Sequence, residues 1–218
     1  MTIEYVDIFD ADMNPVHPYK MDRKESNRAG HWRCTFDCWV LRRVQDGNRI
    51  VVQLRSLDKS SYPGFFDISA AGALQSGETR HDGIRELEEE LGIKADPSQL
   101  YYLGMTKEAT DSQKARNFCH TYFYETTLLP QDYRPQESEV DGVFEMKIVD
   151  GLKLFSGETE TAEIEGILKT GNVYAPSKKT ISKTHMADAH GRCTITPYYL
   201  KILVLADLYL KDYRPLVI

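Results

Sequence analysis

The 218-residue chain contains few cysteines, no excess of basic residues and no long apolar run. Its four cysteines, Cys34, Cys38, Cys119 and Cys193, include no CxxC pair, which fits reduced thiols rather than a disulfide framework. The 27 basic residues are outnumbered by 33 acidic ones, and the net charge is -6. This charge argues against a binder of duplex nucleic acid, because such proteins usually present a basic surface.

Signals for export and for membrane insertion are lacking as well. The first 18 residues have neither the basic segment nor the apolar segment of a secretory leader. The longest apolar stretch, residues 198–210, is shorter than the roughly 20 residues that a spanning helix needs, and it contains Lys201 and Asp207. We therefore predict a soluble cytoplasmic protein with no membrane partner.

What the sequence does contain is the apolar–polar alternation that is typical of β-strands. Segments 35–41 and 49–55 alternate in this way and flank Asp46-Gly47, a strong hairpin signal. Further strands are predicted over 65–70, 100–106, 117–128 and 142–148, and helices over 80–91, 161–169 and 196–213. This mixture predicts a mixed sheet that carries helices on its faces.

The helix predicted over 80–91 is strongly acidic. At about 100° per residue, Glu86, Glu89 and Glu90 fall on one face, while Leu87 and Leu91 fall on another that can pack on a sheet. Three carboxylates on one face repel one another, and a divalent cation such as Mg²⁺ or Mn²⁺ would relieve that repulsion. From these residues alone, a solvated acidic helix remains the alternative.

The residues around this helix resemble the Nudix box at nine defined positions. The matching positions are Gly72, Glu78 and the run Arg85-Glu86-Leu87-x-Glu89-Glu90-x-Gly92-Ile93. The family form leaves seven residues between its first glutamate and its arginine, whereas this chain has six, residues 79–84. The departure falls where the loop becomes a helix, so it affects the placement of Glu78 more than the spacing of the helix carboxylates.

The resemblance to the Nudix superfamily implies an α+β protein, an α/β/α sandwich around a mixed β-sheet with extra N-terminal and C-terminal segments. We accordingly predict an N-terminal extension over residues 1–30 that packs on the core, a Nudix core domain over 31–150 and a helical C-terminal elaboration of the same domain over 151–218. The C-terminal helix is apolar nearly all round, which suits either burial or the interface of a homodimer.

The resemblance also implies a chemistry. Many Nudix proteins hydrolyse a diphosphate linked to another moiety, so we expect a Mg²⁺-dependent pyrophosphohydrolase, with Mn²⁺ as the alternative ion, acting on a small-molecule diphosphate. By resemblance, Glu89 and Glu90 are metal ligands, and Glu86 is either a ligand or the base that deprotonates the attacking water. The backbone carbonyl of Ala71 would be another ligand.

Other residues would support these. Arg85 belongs to the same catalytic set and is expected to pair with Glu78, and Gly72 and Gly92 complete the frame of the box. A carboxylate from outside the box often completes such sites, and the candidates in this chain are Glu139 and Glu125.

A second resemblance extends the first. Residues 55–72 look like the corresponding stretch of isopentenyl diphosphate isomerases, a Nudix branch in which the cations matched here by Arg55 and Lys59 bind the substrate diphosphate. A pair of solvated loop cations is the alternative. The isomerase cysteine and metal-binding histidine are replaced by Ala71 and Ala73, and its later acidic pair aligns with Ala115 and Asn117. An alanine neither moves a proton nor holds a metal, so the isomerase activity ranks last.

Two further readings stay open. The shortened box is compatible with a binding or regulatory module that keeps the fold but turns over weakly. His185, His190 and Cys193 suggest a zinc site, but they have irregular spacing and no evident fourth ligand.

His120 is adjacent to Cys119 on a predicted strand, so the two side chains point to opposite faces and favour packing over a nucleophilic pair.

Overall fold

The computed structural model describes residues 3–110, 115–187 and 198–218. Within these ranges the strands are β1 Tyr5–Phe9, β2 Pro15–Asp22, β3 Arg33–Arg42, β4 Arg49–Arg55, β5 Phe66–Asp67, β6 Ala70–Ala73, β7 Leu100–Thr110, β8 Ala115–Glu125, β9 Val140–Lys147, β10 Ala162–Thr170 and β11 Val173–Ile181. The α-helices are α1 Arg23–Ala29, α2 Arg85–Leu91, α3 Ile148–Ser156 and α4 Tyr198–Leu210.

Strands β3 to β11 form one mixed sheet. Its order is β11-β10-β9-β4-β3-β8-β7, with β5 paired to β4 and β6 paired to β3. Strands β3 and β8 at its centre run parallel, and the neighbouring strands pair antiparallel. Because β6 leads directly into the loop before α2, its pairing with β3 holds the start of the Nudix-like motif against the middle of the sheet.

The sheet is covered on both faces. Helix α2 lies on one face, where Leu87 and Leu91 pack with Phe36 and Cys38 of β3. Helices α3 and α4 pack on each other and cover the other face, where Trp39 belongs to a second buried cluster. The two clusters take alternate residues of β3 because successive side chains of a strand point to opposite faces. The predicted α/β/α sandwich of the α+β class is therefore confirmed.

The N-terminal segment lies against the start of the motif. Strands β1 and β2 form a separate antiparallel hairpin, and Val6 and Ile8 pack on Ala73 of β6. The Ser76 amide donates to the Tyr5 carbonyl at 2.8 Å, and the Ser76 hydroxyl donates to the Asp7 carboxylate at 2.7 Å. This segment therefore buttresses the loop that precedes α2.

The prediction of a helix over 161–169 is wrong, and the C-terminal elaboration is not simply helical. Residues Ala162–Thr170 form β10, which pairs with β9 and β11 and widens the sheet. The apolar residues Ile164, Ile167 and Leu168 have helical spacing, but Ala162 to Glu165 also alternate with period two, and the available sheet edge selects the strand. A Cβ at Gly166 would overlap the backbone of β9, which shows how closely the two strands approach.

Other predicted elements lie close to the observed ones. Strand β4 has the predicted bounds, while the segment predicted as one strand over 65–70 is divided between β5 and β6. The predicted helix over 80–91 is shorter, since a 3₁₀ turn over Asp82–Ile84 precedes α2. Helix α4 packs against α3 and the sheet, so its apolar residues are largely buried within the chain. Across the described ranges, no helix is long and apolar enough to cross a membrane.

Candidate active site

Helix α2 carries the carboxylates, and its two ends are set by local chemistry. It follows the 3₁₀ turn directly, where Gly83 packs so closely on Phe36 that a Cβ would not fit. It ends at Gly92, whose φ of +72° is a left-handed conformation that favours glycine. Burial of Leu87 and Leu91 on the sheet fixes the rotation of the helix, and this rotation decides which glutamates turn inward.

Glu86 lies directly against β6. Its side chain is almost fully buried, with 8 % of the residue exposed, and a Cβ at Gly72 would overlap its carboxyl group. Arg85 donates from Nη1 to Glu86 Oε1 at 2.6 Å. The glycine at position 72 thus leaves room for the carboxylate in its present position, and no left-handed backbone conformation calls for it.

Glu90 is the most enclosed of the three carboxylates, with 5 % of the residue exposed. Its Oε2 accepts a hydrogen bond from Gln53 Nε2 of β4 at 2.9 Å and another from the Ala71 amide at 2.9 Å. The amide and the carbonyl of one strand residue point to the same side. The Ala71 carbonyl therefore points toward the side of β6 on which Glu90 lies.

Glu89 is half-exposed and is held by Arg85, which donates from Nη1 to its Oε2 at 3.0 Å. The neighbouring Glu88 is exposed and pairs with Lys94 at 3.2 Å. The acidic run is therefore divided by rotation about the helix, since Glu86 and Glu90 are buried, Glu89 is at the rim and Glu88 faces solvent.

The shortened spacing does not separate Arg85 from Glu78. Arg85 donates from Nε and Nη2 to the two oxygens of Glu78 at 2.9 and 3.2 Å, and from Nη2 to the Ala73 carbonyl at 3.0 Å. The Gln75 amide also donates to Glu78 at 2.7 Å. The compact 3₁₀ turn takes up the missing residue, so the loop remains braced onto the helix.

The buried carboxylates have perturbed acidities. Burial raises the pKa of Glu86 to about 7, and the Glu89 charge adds to this shift while Arg85 opposes it. Burial, with the nearby charge of Glu86, also raises the pKa of Glu90, against the opposing hydrogen bond from Ala71 and the charge of Lys59. Groups shifted in this way beside one another are a common mark of functional sites.

Each of the two predicted diphosphate-binding cations has an acidic partner. Arg55 donates to Asp67 at 3.1 Å and to the Ser61 carbonyl at 3.0 Å. Lys59 forms an ion pair with Glu139. Burial and the charge of Arg55 lower the pKa of Lys59, while Glu90 opposes this shift. Both are partly buried, so neither is a freely solvated loop cation.

The two acidic candidates from outside the motif, Glu139 and Glu125, lie in different places. Glu139 reaches the site through its pair with Lys59. Glu125 does not, because it lies beside Leu41, four residues along β3 from Asp37, the residue that pairs with Ala71. Four strand residues span about 13 Å, and Glu125 is paired with Arg43 at 2.6 Å. Strand register thus places Glu125 beside the C-terminal end of β3, away from Ala71.

The donor chemistry of the α2 carboxylates suits a hard divalent cation, since every candidate ligand is an oxygen. In the described parts of the chain, however, no three acidic, histidine or cysteine side chains are placed together as a metal-binding group. The reason lies in Arg85, which draws Glu86 and Glu89 toward itself while Glu90 bonds to Gln53 and Ala71. Assembly of a metal site requires Glu89 to turn inward from the rim.

Two members of the suggested zinc site, His190 and Cys193, lie outside the described residues. The third member, His185, contacts Ser182 through Nδ1. His120 contacts the Tyr102 hydroxyl at 3.1 Å on the face opposite to buried Cys119, as the alternation predicts.

Several residues at the site escaped sequence analysis. Gln53 orients Glu90, Asp67 holds Arg55, and Arg33 is a buried cation at the start of β3. Gln53 and Arg33 could have been noticed in the sequence, because each is a polar residue within or at the edge of an otherwise apolar strand. Nothing in the sequence marks Asp67, because a polar residue at the end of a short strand is ordinary.

Comparisons with known proteins agree with this geometry. The NUDIX domain family matches residues 33–163, more than half of the chain. An uncharacterized Nudix hydrolase of Clostridium acetobutylicum is 35% identical over 182 residues, which is 82% of this chain and 87% of that protein. Nudix hydrolase 3 of Arabidopsis thaliana is 33% identical over 128 residues, covering 56% of this chain but 16% of that longer protein.

Solved structures show the same fold at low identity. A Deinococcus radiodurans structure has a TM-score of 0.54 and 20% identity, covering 71% of this chain and 90% of that chain. A MutT/nudix family protein from Enterococcus faecalis has a TM-score of 0.52 and 13% identity, covering 82% of this chain and 66% of that one. The chain belongs to the Nudix family, and it is a Nudix hydrolase by its similarity to these relatives.

Proposed function

We propose that this chain is a Mg²⁺-dependent pyrophosphohydrolase that cleaves a small-molecule diphosphate, of the nucleoside-diphosphate type or another organic diphosphate, to monophosphate products. The observation that carries the proposal is the burial of Glu86 and Glu90 within electrostatic reach of each other on α2. Buried like charges are costly unless a cation joins them, and Arg85 contacts only Glu86 of this pair. The arrangement is therefore best explained by a cation that binds during function.

Glu89 and Glu90 would hold Mg²⁺, with the Ala71 carbonyl as a further oxygen ligand and Glu86 as either a ligand or the base; Mn²⁺ suits the same donors. When bound, the metal would neutralise diphosphate oxygens and lower the pKa of the attacking water. Glu139 is available as a carboxylate from outside the motif through its position on Lys59.

The residues of the chain supply the remaining tasks. Glu86 has a pKa near neutrality, which suits a base that accepts the proton of the water. Arg55 would grip the diphosphate as a fork and Lys59 as a point charge, each exchanging its present carboxylate for a phosphate oxygen. Arg85, braced by Glu78, would position Glu86 and Glu89.

We further propose that the chain belongs to the isopentenyl diphosphate isomerase-like branch without sharing its reaction. Arg55 and Lys59 support the likeness, since they occupy the matching positions and the charges of Glu86 and Glu90 act on Lys59. The isomerase reaction itself needs a proton-transferring group and a metal ligand where Ala71 and Ala73 present only methyl groups. Hydrolysis does not need either of these side chains.

A binding or regulatory module is the second candidate, and one observation favours it. The motif is one residue short between Glu78 and Arg85, which a module with weak turnover would tolerate. All three helix carboxylates are nevertheless retained, which a module would not need.

Phosphorus NMR decides between the two. The protein is incubated with Mg²⁺ or Mn²⁺ and a panel of diphosphates that includes nucleotide sugars, dinucleotides, thiamine diphosphate and isopentenyl diphosphate. We expect one class of diphosphate signal to be converted to monophosphate signals in the parent and not in Glu90→Gln. Glu88→Gln is the matched control, because Glu88 lies on the same helix but faces solvent. If no panel member changes with either metal, the hydrolase proposal fails and the binding module replaces it.

A further inference from the structure

A recess of about 470 Å³ lies between helix α1, the loop after β4 and the ends of β3, β7 and β8. Its size is within the range of small-molecule sites. Its walls are polar and predominantly cationic, with Arg23, Lys24, Arg33 and Arg55 among the lining residues. Such a wall suits an anionic, hydrated ligand and disfavours an apolar chain.

Arg33 forms the buried part of this wall. Only 6 % of the residue is exposed, and its Nη1 donates to Asn27 and, at 3.5 Å, to Ser26. Its buried Nε has no hydrogen-bond partner among the described residues. Burial, with the charge of Arg23, lowers the pKa of Arg33 to about 10, so it remains positively charged at neutral pH. An unpaired buried guanidinium N–H is costly and calls for an acceptor.

Asn117, by contrast, has a buried acceptor without a donor. It is 9 % exposed, and its Nδ2 donates to Glu108 at 3.2 Å. Because a carboxylate accepts, the amide nitrogen must face Glu108, which leaves Oδ1 on the other side. That buried Oδ1 has no donor within the described part of the chain. Two residues that line the recess therefore each carry a buried polar atom without a hydrogen-bond partner in the described part of the chain, a donor on Arg33 and an acceptor on Asn117.

Some of the charge in the recess is already balanced. Arg55 is paired with Asp67, and Arg23 is paired with Glu4 at 2.7 Å. Arg33 has no carboxylate within ion-pair distance in the described residues, although Glu108 also lines the recess. The recess therefore retains positive charge around the unpaired Nε.

The recess shares Arg55 with the proposed diphosphate-binding loop, and Ser60 and Ser61, which follow Lys59 in that loop, also line it. A molecule whose diphosphate lies on Arg55 and Lys59 would therefore place its other end in the recess.

We infer that the recess receives the second moiety of the diphosphate substrate, and that this moiety carries both an anionic group and hydroxyl donors, as a phosphorylated sugar does. The anionic oxygen accepts from Arg33 Nε, and a hydroxyl donates to Asn117 Oδ1. This inference rests on the proposed hydrolase for the position of the diphosphate. It excludes isoprenoid diphosphates, because their chains would place apolar groups against buried unpaired polar atoms.

The test uses ribose 5-phosphate as a probe of the full-length protein in EDTA, measured by calorimetry. We expect a dissociation constant of about 1 mM or tighter, with inorganic phosphate binding more weakly and ribose not detectably. Arg33→Gln should weaken ribose 5-phosphate at least about tenfold, as expected for loss of a charged donor. Asn117→Ala should remove the preference for ribose 5-phosphate over inorganic phosphate while leaving phosphate binding in place.

Arg49→Gln is the matched control, since Arg49 is equally buried at the far end of β4, where it contacts Asp46 and Gly47. If Arg33→Gln does not fold, Lys24→Gln on the exposed surface of α1 replaces it, with a severalfold weakening expected. Absence of binding at about ten times the expected constant, or binding that is equal in the parent, Asn117→Ala and the cation variants, overturns the inference.

The two proposals can fail separately. Binding that depends on Arg33, together with no hydrolysis of any diphosphate, would remove the hydrolase and leave the anion-binding recess. Hydrolysis of isopentenyl diphosphate in preference to sugar-bearing diphosphates would retain the hydrolase and remove the assignment of the recess.

Discussion

The buried glutamate of strand β9 and the two buried glutamates of helix α2 differ in their partners. Glu145 of β9 is 3 % exposed and is gripped by the guanidinium of Arg42, which donates to it from Nε at 2.7 Å and also from Nη2. Glu86 and Glu90 on α2 are buried to a similar degree, but they act on each other as like charges. Burial of a carboxylate is thus not itself a sign of function, whereas burial without sufficient opposite charge is.

The sharpest test of this comparison is the exchange of Glu90 for glutamine. Because Glu90 is a proposed metal ligand, we expect Glu90→Gln to lower kcat about a thousandfold, within the range for loss of an essential catalytic group. Removal of one of two repelling charges should leave the free energy of unfolding unchanged or increased. Steady-state hydrolysis and chemical denaturation measure the two effects. Activity equal to that of Glu88→Gln would remove Glu90 from the mechanism.

The reciprocal exchange should have the opposite pattern. Glu145→Gln leaves the partly buried Arg42 without its countercharge, so we expect the free energy of unfolding to fall by about 2 kcal/mol. Hydrolysis by the folded fraction should change less than about twofold, because Arg42 and Glu145 bond to each other and not to a proposed metal ligand or loop cation. Denaturation curves and rates normalised to folded protein provide the check. A stable but inactive variant would contradict the contrast between the two groups.

The cations of the loop should affect binding more than turnover. Arg55→Ala or Lys59→Ala is expected to raise KM about tenfold with little change in kcat, as for residues that grip the diphosphate equally in the ground and transition states. Arg43→Ala, whose partners Glu125 and Asp212 lie outside the site, is the surface control. Kinetic constants that match the parent in both loop variants would reduce these cations to structural ion pairs.

The smallest expected effect is a dependence of stability on pH in metal-free protein. The pKa of Glu86 is raised to about 7 from an ordinary value near 4.5, so its folded form binds a proton more tightly than its unfolded form. This contribution to stability is present below pH 4.5 and is lost as pH rises through about 7. Melting temperatures recorded in EDTA between pH 5 and 8 should therefore decline more steeply in the parent than in Glu86→Gln, and Mg²⁺ should counter the decline at pH 8. Parallel profiles for the two proteins would contradict the shift.

Much of the architecture could be predicted from the sequence pattern, and strands β4 and β10 show why some elements could be predicted and others could not. Strand β4 was predictable because alternation and the Asp46-Gly47 turn agree. Strand β10 was not, because Ile164, Ile167 and Leu168 have helical spacing while Ala162 to Glu165 alternate, and only the free edge of β9 decides between the two patterns. Local pattern is decisive where one periodicity fits, and tertiary contact is decisive where two do.

Residue types and short-range spacing are enough to identify the family, the carboxylates on α2 and the cations at residues 55 and 59, because these features are local. Long-range packing sets which glutamates are buried, the bond from Gln53 to Glu90, the distance of Glu125 from Ala71 and the place of Arg33 in the wall of a recess that Arg55 also lines. Those outcomes depend on strand register and on the packing of separate segments. Burial and electrostatics arise from neighbours that are distant in sequence, and spacing along the chain does not contain them.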